Sequence, residues 1–247
     1  MTAGFEKWVE AVFDHPVGKP EWYWTPEFEA QWESLEVSGP VTVAYLTRLY
    51  SDASILRRFS LEQVAQGIWF LVGESSPAKP SYSLLDPSIP LQTRVACVSV
   101  MAVFFRHLVA VAAPGPADTE TNPFHIACYM WWDIFPGRRA TKARELHQAW
   151  LAVMAETLSL LPSEVCQLSA LHDWEPELDQ ACLAVMAETL SLPSEVCQLS
   201  ALHGLNHWYL TYGGHVEQTV DAFLAASHDL SPRIREYAAL ARHGKAQ

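Results

Sequence analysis

Residues 151–172 and 183–203 are the same segment written twice, LAVMAETLSLLPSEVCQLSALH and LAVMAETLSLPSEVCQLSALH, differing only by the extra Leu161. A fold needs a pattern of side chains and not identity, so a perfect copy marks a duplication that is recent, engineered or accidental. Its length constrains the architecture more than its fidelity does. Leu151 to Leu183 is 32 positions and Pro162 to Pro193 is 31, the size of one helix-turn-helix unit in a stacked helical array.

Each half of the unit has a physical reading. Leu178, Cys182, Val185, Met186 and Leu190 recur at helical spacing and predict a helix over about 177–192 with one buried face. Pro193 ends it, because proline lacks the amide hydrogen and disfavours helix in the residue before it. The same proline suits the first turn of a second helix, where Glu195 meets the positive end of the dipole. Val196, Leu199 and Leu202 carry the second stripe to Gly204, the expected stop. The layout recurs in diverged form: a helix over 217–230 with Val220, Phe223 and Leu224 inward, a restart at Ser231-Pro232, and a stripe of Ile234, Tyr237 and Leu240 ending at Gly244.

Three helix-Pro-helix units in a row, with PSEVCQLSALHGL and SPRIREYAALARHG as second helices, resemble the HEAT-like helical repeat proteins over roughly residues 140–245. The second helices of the first two units lack the basic residues usual in that pattern. The stretch running from Glu177-Leu178-Asp179-Gln180 into Gly204-Leu205-Asn206-His207-Trp208 is also similar to bacterial proteins with no activity attached. What the resemblance implies is an αα-solenoid of stacked antiparallel helix pairs.

The remaining chain reads as helical too. Phe5, Trp8, Val9, Val12 and Phe13 fall at i, i+3, i+4, i+7 and i+8, and Ser60 with Gln63 offers a capping box for a helix through Leu71. Leu91–Ala113 is strongly apolar, but its uninterrupted run, 95–105, is shorter than a bilayer requires, so a buried core helix is expected. Proline and glycine clusters at 75–80, 86–87 and 114–123 mark loops. The expectation is one all-α domain over 1–247, with an N-terminal helical part at 1–139 and helix-Pro-helix repeats at 140–247.

At 247 residues, half of them hydrophobic and 18% charged, the chain is long and apolar enough for a substantial core. An acidic, amphipathic N-terminus without a basic region gives no signal-peptide pattern. Five widely spaced cysteines read as reduced, buried thiols of a cytoplasmic protein. Charge is the most uneven property: from Glu145 to Pro232 there is no Lys or Arg but 12 acids, so this window carries the whole net charge of −12. Such a surface repels phosphate backbones, which argues against nucleic acid, and attracts a basic protein; it also serves plain solubility.

The window holds six of the ten histidines. His203 and His207 stand at i and i+4, a metal-ligand spacing, but no glutamate of a zinc-protease motif lies between them, and Gly204 is expected to end the helix there. No metal and no cofactor are expected. His125, Cys128 and Trp132 share a helical face, a weak thiol-imidazole cue. Asp133 is an acid in an apolar stretch near a helix C-terminus, which the dipole disfavours unless Arg138 or Arg139 pairs with it. Trp22, Tyr23, Trp24, Phe28 and Trp32 could form a sugar or peptide platform, but their spacing favours core packing.

Three functional readings follow, with no catalytic residue assigned in the first. It is a non-enzymatic interaction module whose acidic surface binds a basic protein, without nucleic acid or membrane as partner. The second is an enzyme or small-ligand binder, with a pocket made from His125, Trp131, Trp132, Asp133 and from His203, Asn206, His207, Trp208; related helical folds include DNA-alkylation glycosylases, disfavoured by the charge, and bilin lyases, for which Cys128 is a weak cue. The third is an engineered or accidental duplication in which the copy has no role. The first copy, followed by Asp173-Trp174-Glu175-Pro176, is expected to be the dispensable one.

Overall fold

The computed structural model describes residues 2–246 except 36, 74, 137–142, 161–162, 172–178 and 228, and only the backbone of 2, 3, 133, 170, 171, 179–182 and 196. Among the described residues every regular element is helical. In chain order they are α1 (Thr2–Phe13), α2 (Pro26–Glu33), α3 (Gly39–Ser51), α4 (Leu61–Val72), α5 (Leu91–Ser99), α6 (Met101–Phe104) and α7 (Ala110–Ala112). There follow α8 (Pro123–Tyr129), α9 (Trp131–Ile134), α10 (Arg144–Leu158), α11 (Glu164–Leu171), α12 (Asp179–Leu190), α13 (Glu195–Ala226) and α14 (Pro232–Ala241).

Contacts divide the chain at Ser169/Ala170, giving a unit of residues 1–169 and a unit of residues 170–247. This division falls near the end of the first copy, so that most of the first copy groups with the N-terminal helices and the second copy with the C-terminal ones.

In the N-terminal unit, α4 packs on α1 and α8, and α5 packs on α3 and α10. The spacing read from the sequence sets the buried face of α1: Phe5, Trp8, Val9, Val12 and Phe13 are all buried. α4 begins at the expected capping box, where Ser60 Oγ accepts from the Gln63 amide and Gln63 Oε1 accepts from the Ser60 amide. The core is aromatic, with Tyr50, Phe104, Phe105, Trp131, Trp132 and Trp150 fully enclosed. Arg94 is buried with them because its guanidinium donates to the carbonyls of Ile89 and Leu84.

The apolar stretch 91–113 is not one straight helix. It turns at Val100 and widens into a π-helical segment, Phe105–Val109, before α7. Its span Leu91–Ala112 is long and apolar enough to cross a membrane by composition alone. Cys97, Val98, Met101, Phe104, Phe105 and Val109 face the core, and Arg106 on the outer side pairs with Glu156 of α10.

The two copies fold alike down to individual hydrogen bonds. Thr157 Oγ1 donates to the Val153 carbonyl at 2.7 Å and Thr189 Oγ1 to that of Val185 at 2.8 Å. Gln167 Nε2 reaches the Leu158 carbonyl at 3.4 Å, as Gln198 Nε2 reaches that of Leu190 at 3.4 Å. The amides of Cys166 and Cys197 donate to Ser163 Oγ and Ser194 Oγ. Burial is not the same: Gln167, Leu168 and Ser169 are buried, whereas Gln198, Leu199 and Ser200 are partly open. The first copy thus contributes to the core of the N-terminal unit, with Val153, Met154, Thr157, Val165 and Cys166 enclosed, a burial that weighs against its expected dispensability. The Asp173-to-Pro176 segment behind that expectation lies outside the described residues.

In the C-terminal unit, α13 packs between α12 and α14. Gly204 does not end the helix. The helix runs on through Gly204 to a kink at Tyr212, beyond which a second helical segment of α13 reaches Ala226. Gly204 serves close packing instead, since a Cβ there would lie 2.9 Å from Met186 Sδ. α14 starts at Ser231, whose Oγ accepts from the Ile234 amide, as its Ser-Pro start predicts. Its buried stripe is Ile234, Ala238 and Ala241, and the expected Leu240 is 42% exposed. The i, i+4, i+7 alternative wins because alanines let the two helices approach.

Candidate functional site

Trp22, Tyr23 and Trp24 form one 3-10 turn between Glu21 and Thr25. Successive residues of such a turn point about 120° apart, so three aromatics cannot all enter the core. Trp22 lies flat on His15 with ring centroids 3.9 Å apart and meets Phe70 on its other side at 4.8 Å. Tyr23 is buried beside it, its hydroxyl pushed up to about 12 by burial and secondarily by the charge of Glu21. Trp24 is left 50% exposed.

The loop leading into this turn is tied to α4. Gln63 Nε2 donates to the His15 carbonyl at 3.0 Å, and Gln66 Nε2 donates to the Gly18 carbonyl at 3.1 Å. The backbone of 14–21 therefore stands off α4 as a wall. Between wall, turn and α4 lies an open groove of about 560 Å³, with Tyr23, Trp24, Trp69 and Ala65 as its apolar surface. Pro123 and Ile126 of α8 close its far side, and Lys19, Glu21 and Glu62 supply its charges. The size is that of a site for a small molecule or a few peptide residues. Among the described residues no histidine or cysteine lines it, and its polar groups include the Lys19 amine, the Ser75 and Tyr23 hydroxyls and the Glu21 and Glu62 carboxylates.

The sequence candidates sit elsewhere. Trp131 and Trp132 are both 0% exposed, packed among Tyr50, Phe104, Phe105 and Trp150, and are core residues closed to any ligand. Among the described residues their indole N–H groups find no acceptor, a cost that the packing of such large rings offsets. Asp133 adjoins them in α9, and its side chain lies outside the described residues, as do Arg138 and Arg139. His125 is part-buried, and its Nδ1 accepts from the Asp118 amide at 3.0 Å. Burial lowers its pKa, against a smaller opposing effect of Asp118. Cys128 is fully enclosed, with its thiol raised well above the ordinary range by burial first and the neighbouring Cys166 second. A neutral thiol sealed in the core cannot act as the nucleophile that the shared helical face suggested.

His203, Asn206, His207 and Trp208 belong to the other unit. Asn206 is buried and holds the C-terminal backbone, its Nδ2 donating to the Ala246 carbonyl at 3.0 Å and its Oδ1 accepting from the Ala246 amide at 2.9 Å. Trp208 is buried and stacks on Tyr212. His203 and His207 are exposed and share one face because the helix runs through Gly204. No three His, Cys, Asp or Glu among the described residues converge on a common point.

Sequence reasoning considered the Trp22–Trp32 aromatics and favoured core packing, which describes Trp22, Tyr23 and Phe28 but not Trp24. The missed signal was three consecutive aromatics in a turn bracketed by Pro20 and Pro26. Trp69 carried no such signal, since it lies within the apolar run of α4. No known family, no curated protein and no solved structure matches this chain.

Proposed function

We propose that the chain is a non-catalytic protein-interaction module that takes a basic segment of a partner protein in the groove of Tyr23, Trp24 and Trp69. The observation that carries this reading is the half-exposed Trp24 beside Glu21 and Glu62. A desolvatable aromatic anchor next to carboxylates matches a peptide bearing Arg or Lys beside an apolar or proline residue, because cations sit favourably over indole faces. The acidic window supports it less directly, since Glu156 is neutralised by Arg106 and Asp221 by Arg242. The excess of acids still disfavours nucleic acid and attracts basic partners over distance. Cys97, Cys128, Cys166 and Cys197 are buried, which suits a cytoplasmic setting. The matched helix-Pro-helix copies support a HEAT-like repeat reading of the chain.

The test is a fluorescence titration of the full chain with Arg-rich peptides carrying a proline or aromatic anchor, read through the emission of the exposed indole. Binding should weaken as salt is raised, and Trp24→Ala should weaken it by tenfold or more, the scale of an aromatic hot spot. Affinity indifferent to salt, to Trp24→Ala and to Glu62→Gln would remove the reading.

A further inference from the structure

The course of α13 through Gly204 brings two exposed imidazoles together in the C-terminal unit. His203 and His207 have ring centroids 4.5 Å apart with planes near perpendicular, and their Nε2 atoms are 2.9 Å apart. His203 Nδ1 lies 2.7 Å from the hydroxyl of Tyr237, which comes from α14. We propose that His203 and His207 form a two-imidazole site for a divalent transition cation of tetragonal preference, Cu(II) or Ni(II), with Tyr237 orienting His203 and water completing the coordination.

Three features of geometry carry this. A cation about 2.0 Å from each nitrogen and bound at a right angle separates its two ligands by roughly 2.8 Å, whereas a tetrahedral ion separates them by roughly 3.3 Å. The 2.9 Å between the two Nε2 atoms is the hydrogen bond of the metal-free pair, and placing both lone pairs on one cation at a right angle, as square-planar or octahedral Cu(II) and Ni(II) favour, leaves that separation almost unchanged. In the Nδ1–H tautomer of His203 the Tyr237 oxygen accepts from Nδ1 and leaves Nε2 unprotonated, the outer-shell arrangement typical of histidine ligands. In that tautomer His207 Nε2–H donates to His203 Nε2 without metal, and metal binding would move the His207 proton to its Nδ1 and turn both Nε2 lone pairs to the cation. The surrounding chain also concentrates cations, as residues 170–247 hold ten acids and four bases.

The site belongs to the unique continuation of the second copy. The first copy reproduces the histidine as His172, but its fourth residue onward is Pro176 where the second has His207. Duplication alone does not create the pair. The proposal is independent of the peptide groove, which lies in the other unit.

Copper(II) titration of the full chain against a glycine competitor, with electron paramagnetic resonance, tests it. One equivalent should bind with a two-nitrogen hyperfine pattern, His203→Ala and His207→Ala should each weaken that equivalent by at least tenfold and leave a one-nitrogen signal, and Tyr237→Phe should weaken it by about tenfold. Helicity of the variants measured alongside controls for folding, which exposed side chains should not disturb. If the wild-type chain bound copper no tighter than His207→Ala, or if the hyperfine pattern were unchanged in both histidine variants, the assignment would be overturned.

Discussion

The ring of Phe13 packs so close to the backbone of Gly67 that a Cβ on Gly67 would clash with two of its carbons. Phe13 is 1% exposed and ends α1, and Gly67 sits mid-helix in α4. The glycine is therefore kept for approach and not for flexibility, although helix propensity by itself favours alanine there. Gly67→Ala should destabilise the N-terminal unit by about 1–3 kcal/mol, because a closely packed ring has no room to retreat. Urea midpoints measure it, and an unchanged or higher midpoint would contradict the packing described.

Asn206 supplies both a donor and an acceptor to the backbone of Ala246. Asn206→Ala leaves that amide and carbonyl without their partners in a buried position, a loss of about 1–3 kcal/mol. The expected signature is local: amide hydrogen exchange at 245–246 accelerates while α4 and α10 keep their protection. Uniform acceleration across the chain would mean that Asn206 supports more than the C-terminal tail.

Removing residues 151–182 joins Trp150 to Leu183 and leaves one copy to serve two sites. Met154 and Thr157 in the N-terminal unit and Met186 and Thr189 in the C-terminal unit are buried on the same face of the duplicated helix, so one helix cannot fill both. The retained Trp150 should direct the surviving copy into the N-terminal core. Hydrogen exchange should then show α3 to α6 protected as in the full chain and α13 to α14 weakened. Equal protection of both units would show that a single copy satisfies both.

Acidification should weaken the fold through groups whose pKa is depressed. The side-chain hydrogen bond from Arg242 holds the Asp221 carboxyl below its usual range, with the guanidinium charge adding to it, and hydrogen bonds from Thr121 do the same for Asp118. A depressed carboxyl binds fewer protons folded than unfolded, so its contribution is complete above the unfolded value of about 3.9 and is lost as pH falls through the folded value. His125, lowered chiefly by burial, contributes above about 6.5 and is lost below. Asp221→Asn should flatten the acid limb of the C-terminal unit at low salt. An acid limb identical to wild type would show that the Arg242 pair contributes nothing measurable.

Burial pushes the Cys97 thiol up to about 12 and the Cys166 thiol up to about 11. With Cys128 raised as well, these thiols should react with a disulfide reagent at pH 8 only through opening of the fold, hundreds of times more slowly than in denaturant. Labelling followed by peptide mass mapping checks this. Prompt modification of Cys97 or Cys166 in the native state would place them in an open environment.

The helices at α1, α4 and α14 were legible because their determinants are local: apolar residues at helical spacing, a Ser60-Gln63 capping box, and a Ser231-Pro232 start. The helix-Pro-helix form of the two copies was legible for the same reason, since identical short-range hydrogen bonds repeat in both. Which core each copy enters was not written in it. Identical residues reach different burial because each copy packs against different neighbours, most of the first in the unit of residues 1–169 and the second, in α12 and the start of α13, in the unit of residues 170–247, where α13 also packs on α14. Gly204 illustrates the limit most plainly: read alone, a glycine after a leucine stripe is a helix stop, but beside Met186 it is the point of closest approach. The groove escaped for a related reason. Sequence spacing assigns an aromatic to a face, but only the packing of α4 and α8 around the 3-10 turn decides that Trp22 is enclosed and Trp24 is left outside.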